Sequence, residues 1–205
     1  MVEGSPDGTL EIAREAVAQQ AHSSVVFEVI DNGPQRGKGY AVRSGMLKAR
    51  GEIVFYMDAD LSVPLAEIDK FLEAFENEPG LQVLVGNRQH PASRITRAQS
   101  WLRRSMGQTF NRVLGLLALT EIRDTQCGFK AFRQAAVQAI FGRQRLNGFA
   151  FDVEVLMLAQ QLELKVRDLP VEWLNSPESK VNIVRDSLRM LFDALKVRWQ
   201  NRLQR

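Results

Sequence analysis

The run from Gly51 to Asp60, Gly-Glu-Ile-Val-Phe-Tyr-Met-Asp-Ala-Asp, constrains the chain most. Five of the six residues from Ile53 to Asp58 are apolar, the pattern of a strand buried on both faces, and the run stops at two carboxylates one residue apart. In an open α/β sheet, ligands bind beyond the carboxyl ends of the strands, so Asp58 and Asp60 stand where phosphates and a divalent cation would meet them. Carboxylates this close repel each other unless something positive lies between, and a hard cation with oxygen ligands is one answer. A solvated acidic turn is the plainer alternative.

The flanking sequence alternates. Leu10 to Gln20 has a helical apolar face, Val25 to Ile30 reads as a strand closed by Asp31-Asn32-Gly33-Pro34, and Arg36-Gly37-Lys38-Gly39 opens a helix from about Tyr40 to Ala49. Glycines ahead of a helix let a ligand approach the backbone, and Lys38 adds charge at an end that already attracts anions. A simple tight turn would use the same residues, and the spacing is not that of a Walker loop. After the acidic run, Ile68, Phe71, Leu72 and Phe75 mark a helix, and Leu81 to Val85 a strand ending in Gly86-Asn87-Arg88. This alternation predicts an α/β fold with a mostly parallel sheet flanked by helices. Ser93 to Leu119 then reads as a long helix. A short strand follows Asp124-Thr125-Gln126-Cys127-Gly128, helices run over 134–141 and from Asp152 to Leu162, and Lys165 to Trp173 alternates as a strand.

Charge is unevenly placed. From Lys180 to Arg205 seven Lys or Arg face two acids, on an amphipathic helix from about Ile183 to the end, whereas the first 179 residues sum to about minus two. A basic helix with a tryptophan can lie in a membrane interface, or dock on its own domain or a second copy, which leaves a homo-oligomer open. Between Glu78 and Glu121 there is no acid, yet Arg88, Arg94, Arg97, Arg103, Arg104 and Arg112 fall there, a stretch suited to an anionic partner. Aromatics are not interleaved with these charges, which argues against a nucleic-acid platform. The single cysteine, Cys127, excludes an internal disulfide, and no apolar run reaches the length of a membrane span.

Six motifs stand in order: Val2-Glu3-Gly4-Ser5-Pro6-Asp7-Gly8-Thr9, Arg36-Gly37-Lys38-Gly39, Met57-Asp58-Ala59-Asp60-Leu61, Gly86-Asn87-Arg88, Asp124-Thr125-Gln126-Cys127-Gly128-Phe129-Lys130 and Phe151-Asp152-Val153-Glu154. As a set, over residues 2 to 185, they resemble the family 2 glycosyltransferases, and more narrowly the dolichyl-phosphate or polyprenyl-phosphate sugar transferases of the glucosyl branch. The resemblance implies a GT-A (nucleotide-diphospho-sugar transferase) fold over 1–178, with 179–205 as a basic C-terminal helix. It further implies an inverting hexose transfer from UDP-glucose or GDP-mannose to a polyprenyl or dolichyl phosphate. Such a protein would sit peripherally on the cytoplasmic face of a membrane. A saccharide or small-molecule acceptor, or an inactive nucleotide-sugar-binding domain, are the alternatives.

Residue by residue, the resemblance implies that Glu3, Gly37, Lys38 and Asp58 meet the nucleotide sugar and that Asp58 and Asp60 hold Mg2+ or Mn2+. Arg88, Arg97 and Lys180 would bind the acceptor phosphate, and Asp124 and Asp152 would be the catalytic carboxylates; for Asp152 a helix N-cap is the other reading. The acceptor is already an anion, so these two position groups more than they abstract protons. The chain departs from the family at its start. Members open with a strand ending in a Pro-x-Tyr-Asn-Glu type motif, a helix, and a second strand ending in two aspartates, where this chain has Val2 and Glu3. The expectation is an N-terminally incomplete fold lacking its first strand-helix unit, with reduced activity that an upstream segment would restore.

Overall fold

The computed structural model describes residues 1–4, 7–20, 24–96, 122–174 and 192, 193, 195 and 196. The acidic run forms strand β1 (Ile53–Met57), in which half-buried and buried side chains alternate. It lies at one edge of a four-stranded sheet with β2 (Val83–Asn87), β4 (Phe129–Arg133) and β5 (Val166–Pro170), in the order β1-β4-β2-β5. Alternation divides the sheet's side chains between two cores. Val54, Tyr56, Val83, Val85 and Phe132 face one side, where helices α2 (Lys38–Lys48), α4 (Gln134–Phe141) and α5 (Phe151–Gln161) contribute Met46, Ile140, Phe141 and Val155. Leu84, Phe129 and Ala131 face the other, covered by Phe71 and Phe75 of α3 (Glu67–Asn77). Helix α1 (Thr9–Ala18) buries no residue, and its face is correspondingly thin in apolar groups.

The sheet is mixed. β2 and β5 are parallel, but β4 runs antiparallel to both β1 and β2, inserted between them. Parallel pairing follows from strand-helix alternation, and β4 follows the stretch where that alternation stops. Its reversed direction brings its first residues to the edge where β1 and β2 end.

Three local expectations change. Val25 to Ile30 is not a strand: among the described residues the bridge beside it is an isolated parallel one between Val2 and Asp31, just past the run, and Val25, Val26 and Phe27 are exposed. An apolar run becomes a strand only where a neighbour accepts its backbone bonds. The stretch beginning at Ser93 opens not as a helix but as β3 (Arg94–Ile95), parallel to β6 (Glu172–Trp173). The expected single strand from Lys165 to Trp173 divides at Val171, whose N–H donates to Ser93 Oγ at 3.2 Å instead of continuing the ladder. The remainder of the expected long helix, its arginines 97, 103, 104 and 112, and Lys180 lie outside the described residues. Among the described residues no helix is long and apolar enough to cross a membrane.

Candidate functional site

The ends of β1 and β2, the start of β4 and the first turns of α2 and α5 meet at one edge of the sheet. Asp58 is the first residue past β1. Its N–H donates to the Gly128 carbonyl at 2.9 Å, and its carboxylate packs against Gly128 so closely that a Cβ there would overlap it. Glycine at 128 is a steric requirement of this carboxylate. Asp60 follows on an exposed turn, with Oδ1 accepting the Ser62 N–H at 3.0 Å.

Lys38 opens α2 and reaches Asp58 Oδ1 with Nζ at 2.6 Å. Burial alone would lower the Lys38 pKa, but the charges of Asp152 and Asp58 outweigh it and the ammonium is held above its ordinary range. The turn before Lys38 is fixed from two sides. Gly37 has φ +112°, and a Cβ on it would stand 2.6 Å from the Asn147 carbonyl oxygen. Its N–H donates to Glu3 Oε2 at 3.1 Å, which leaves Glu3 Oε1 buried with no partner. Glu154, one turn into α5, accepts the N–H groups of Arg145 and Leu146 at 2.9 and 2.7 Å, so it steadies the loop whose Asn147 carbonyl accepts the Gly39 N–H. Burial raises the Glu154 pKa against the pull of those two donors.

Asp124 and Arg88 form the second half. The buried Asp124 carboxylate accepts three bonds of 2.8 Å from Arg88: backbone N–H and Nε on Oδ2, Nη2 on Oδ1. Burial would push the Asp124 pKa up, yet the guanidinium and its bonds bring it below the usual carboxylate range. Arg88, likewise opposed by burial, is raised by Asp124, and its guanidinium lies over Trp173 at 5.6 Å. Two of its three guanidinium nitrogens are committed to Asp124. Neighbouring Asn87 donates its amide to Asp168 of β5 and holds Ser93 through its carbonyl.

Asp152, the second residue of α5, accepts bonds from Lys130 Nζ at 2.5 Å and from the Tyr56 hydroxyl. The N-cap position of α5 is Ala150, so Asp152 lies within the first turn instead of capping it. Burial and the Asp152 charge together drive the Tyr56 pKa well above that of an ordinary phenol. Cys127 lies fully buried beside Gly86, and burial pushes its thiol up to about 12, so it is neutral and no nucleophile at physiological pH.

The structure therefore brings Glu3, Gly37, Lys38, Asp58, Asp60, Arg88, Asp124 and Asp152 to one edge, whereas Arg97 and Lys180 lie outside the described residues. Sequence reasoning missed Lys130, Tyr56 and Gly128. A lysine between phenylalanines in a strand is the signal that would have found the first, because a buried ammonium needs a carboxylate.

A divalent cation suits this edge in its donor chemistry. Asp58 and Asp60 offer hard carboxylate oxygens, and Asp58 already carries a cationic group, the Lys38 ammonium. Among the described residues no group of three or more His, Cys, Asp or Glu side chains could enclose an ion. Such an ion would need further oxygen ligands beyond these two carboxylates.

The chain matches the family model described as "Glycosyl transferase family 2" over residues 2–141. It is similar to the dolichyl-phosphate beta-glucosyltransferase of Drosophila melanogaster, 34% identical over 186 residues, covering 87% of this chain and 56% of the relative. The proteins of the same name from Saccharomyces cerevisiae (29% identical) and Homo sapiens (30%) each match across 96% of this chain, which covers 62% and 61% of them. The chain thus spans about three fifths of the length of these relatives. Among solved structures it resembles glucosyl-3-phosphoglycerate synthase from Mycobacterium tuberculosis in complex with Mn2+ and UDP-glucose. That match has a TM-score of 0.62 at 16% identity and covers 95% of this chain and 65% of that one. Mannosyl-3-phosphoglycerate synthase from Rubrobacter xylanophilus matches with a TM-score of 0.59 at 20% identity, over 98% of this chain and 63% of the other. At these identities the likeness is one of fold, the GT-A fold.

Proposed function

Since the chain belongs to glycosyl transferase family 2, we propose that it transfers glucose from UDP-glucose to dolichyl phosphate or a related polyprenyl phosphate, with inversion, at the cytoplasmic face of a membrane. The observation that carries this is the pairing of Lys38 with Asp58 beside Asp60, a mixed-charge edge suited to a nucleoside diphosphate. The activity for which the similar proteins are named, dolichyl-phosphate beta-glucosyl transfer, supports the acceptor and the sugar.

In this reading an acceptor phosphate oxygen attacks the anomeric carbon from the face opposite the diphosphate. The new C–O bond forms as the old one breaks, and UDP leaves with the electron pair. The attacking oxygen is already anionic, so no base is required. Lys38 and the α2 N-terminus face the diphosphate and oppose its developing charge. A Mg2+ or Mn2+ held by Asp58 and Asp60 would supply further charge neutralisation on the leaving group. Asp124 keeps Arg88 extended toward the acceptor side, where the guanidinium's remaining edge meets the phosphate; Arg97 and Lys180 are proposed to join it. Asp152 fixes Lys38 electrostatically and takes no proton. Glu3, with one oxygen unpartnered, faces the nucleotide side.

The test incubates the chain with radiolabelled UDP-glucose, Mn2+ and dolichyl phosphate in detergent, with GDP-mannose in parallel. Label extracted into organic solvent from UDP-glucose alone is the expected result, abolished together with metal-dependent UDP-glucose binding in Asp60→Asn. Label confined to the aqueous phase on a saccharide would replace the lipid acceptor, and metal-dependent donor binding that survives in Asp60→Asn would overturn the assignment of the carboxylates.

A further inference from the structure

Lys130 stands in the middle of the apolar strand Phe129-Lys130-Ala131-Phe132, and its side chain is fully buried. An ammonium stays in such a place only where opposite charge and hydrogen bonds replace its water. Strand register sets it directly opposite Tyr56. Nζ lies 2.5 Å from Asp152 Oδ1, 2.7 Å from the Cys127 carbonyl oxygen and 5.2 Å from the centroid of the Tyr56 ring. These partners come from three pieces of the site: the first turn of α5, the turn before β4, and β1.

Two consequences follow from this placement. Asp152 Oδ1 is shared by the Lys130 ammonium and the Tyr56 hydroxyl, which fixes the carboxylate's orientation and leaves Oδ2 as the oxygen that neither holds. The bond to the Cys127 carbonyl tethers the turn whose next residue, Gly128, accepts the Asp58 N–H and forms the wall behind the Asp58 carboxylate. Lys38 feels both of these carboxylates. A single buried charge therefore bonds one of these acids, Asp152, and the turn behind the other, Asp58.

We propose that Lys130 is a positioning residue for glycosyl transfer: a buried strut that orients Asp152 and braces the Cys127–Gly128 turn against Asp58, without itself touching substrate. The kinetic consequence rests on the transferase reading; the bracing does not. Lys130→Met keeps an unbranched side chain one atom shorter and removes its charge, whereas Lys130→Arg keeps the charge.

Three measurements are made on each: the thermal midpoint, kcat and KM for UDP-glucose, and the rate at which a thiol reagent modifies native Cys127, the chain's single cysteine. In Lys130→Met, kcat falls about 10- to 100-fold with KM changed less than about threefold, as for loss of a supporting residue. Cys127, fully buried in the native protein, reacts about tenfold faster once its turn opens locally. Lys130→Arg recovers much of both. Native kcat in Lys130→Met, or a thiol as protected as in the parent, overturns the proposal. Should Lys130→Met fail to fold, Lys130→Gln, which loses the charge but keeps a donor, lowers kcat at least about threefold to tenfold, the worth of one such hydrogen bond; an unchanged kcat there overturns it equally. If the parent chain transfers no glucose, the functional reading fails while the thiol measurement still decides the strut.

Discussion

Asp124→Asn separates a carboxylate that orients Arg88 from one that acts on a proton. The side chain is completely buried, and both oxygens are occupied by Arg88. Asparagine keeps the shape but loses the charge, and its amide faces a guanidinium donor where an acceptor stood. Removing one partner of a buried pair costs about 3–5 kcal/mol. The Arg88 side chain is 27% exposed, so water recovers part of its solvation, and about 2–3 kcal/mol remains. For a chain of this size, at about 2–4 °C per kcal/mol, that loss corresponds to a fall in the melting temperature of about 4–12 °C.

The pH dependence carries a definite sign. Asp124's pKa is depressed in the fold relative to the unfolded chain, so its contribution is complete above about pH 4 and is lost as pH falls through the folded value. Thermal unfolding followed by circular dichroism from pH 8 down to 3 should show a constant gap between the parent and Asp124→Asn at neutral pH, narrowing below about pH 4. Replacing both partners, as Arg88→Met with Asp124→Leu, should recover most of the stability because no charge is left unpaired. A gap under about 2 °C at pH 7, or one that widens on acidification, would refute the reasoning, since the measured slope is about 2–4 °C per kcal/mol.

Two glycines give contrasting outcomes. Gly128→Ala places a methyl group on the Asp58 carboxylate, a short side chain that can swing away, so donor binding measured by calorimetry should weaken at least about tenfold while the melting temperature shifts little. Gly37→Ala meets the fixed carbonyl of Asn147 at a positive φ, so the fold itself should lose about 1–3 kcal/mol, read by denaturant unfolding.

Much of the frame was legible because it depends on periodicity. The apolar run ending in Asp58 forms β1 at its expected place, and the stripe containing Phe71 and Phe75 covers one face of the sheet. What escaped depends on partners distant in sequence. Val25 to Ile30 has a strand's apolar composition, but the bridge beside it, Val2 to Asp31, is an isolated one. Arg94 and Ile95 pair with residues 172 and 173, an encounter no local window contains. The same limit applied at the site. Asp58 and Lys38 were readable from strand end and glycine turn, whereas the engagement of Arg88 by Asp124, and of Asp152 by Lys130, arises from cross-sheet geometry.

The placement of β4 also governs the order in which the molecule can assemble. β1 and β2 are close in the chain yet never pair with each other; each waits for residues 129–133, so that Ile53 finds its partner in Arg133. Closing loops of that length before their contacts form is a slow step. Among the described residues β1 has β4 as its sheet partner, so the edge bearing Asp58 and Asp60 gains that pairing only once β4 has emerged. Sheet closure and the creation of the site are then a single late event, and a mutation that delays β4 would lower the yield of active protein even where the finished fold is equally stable.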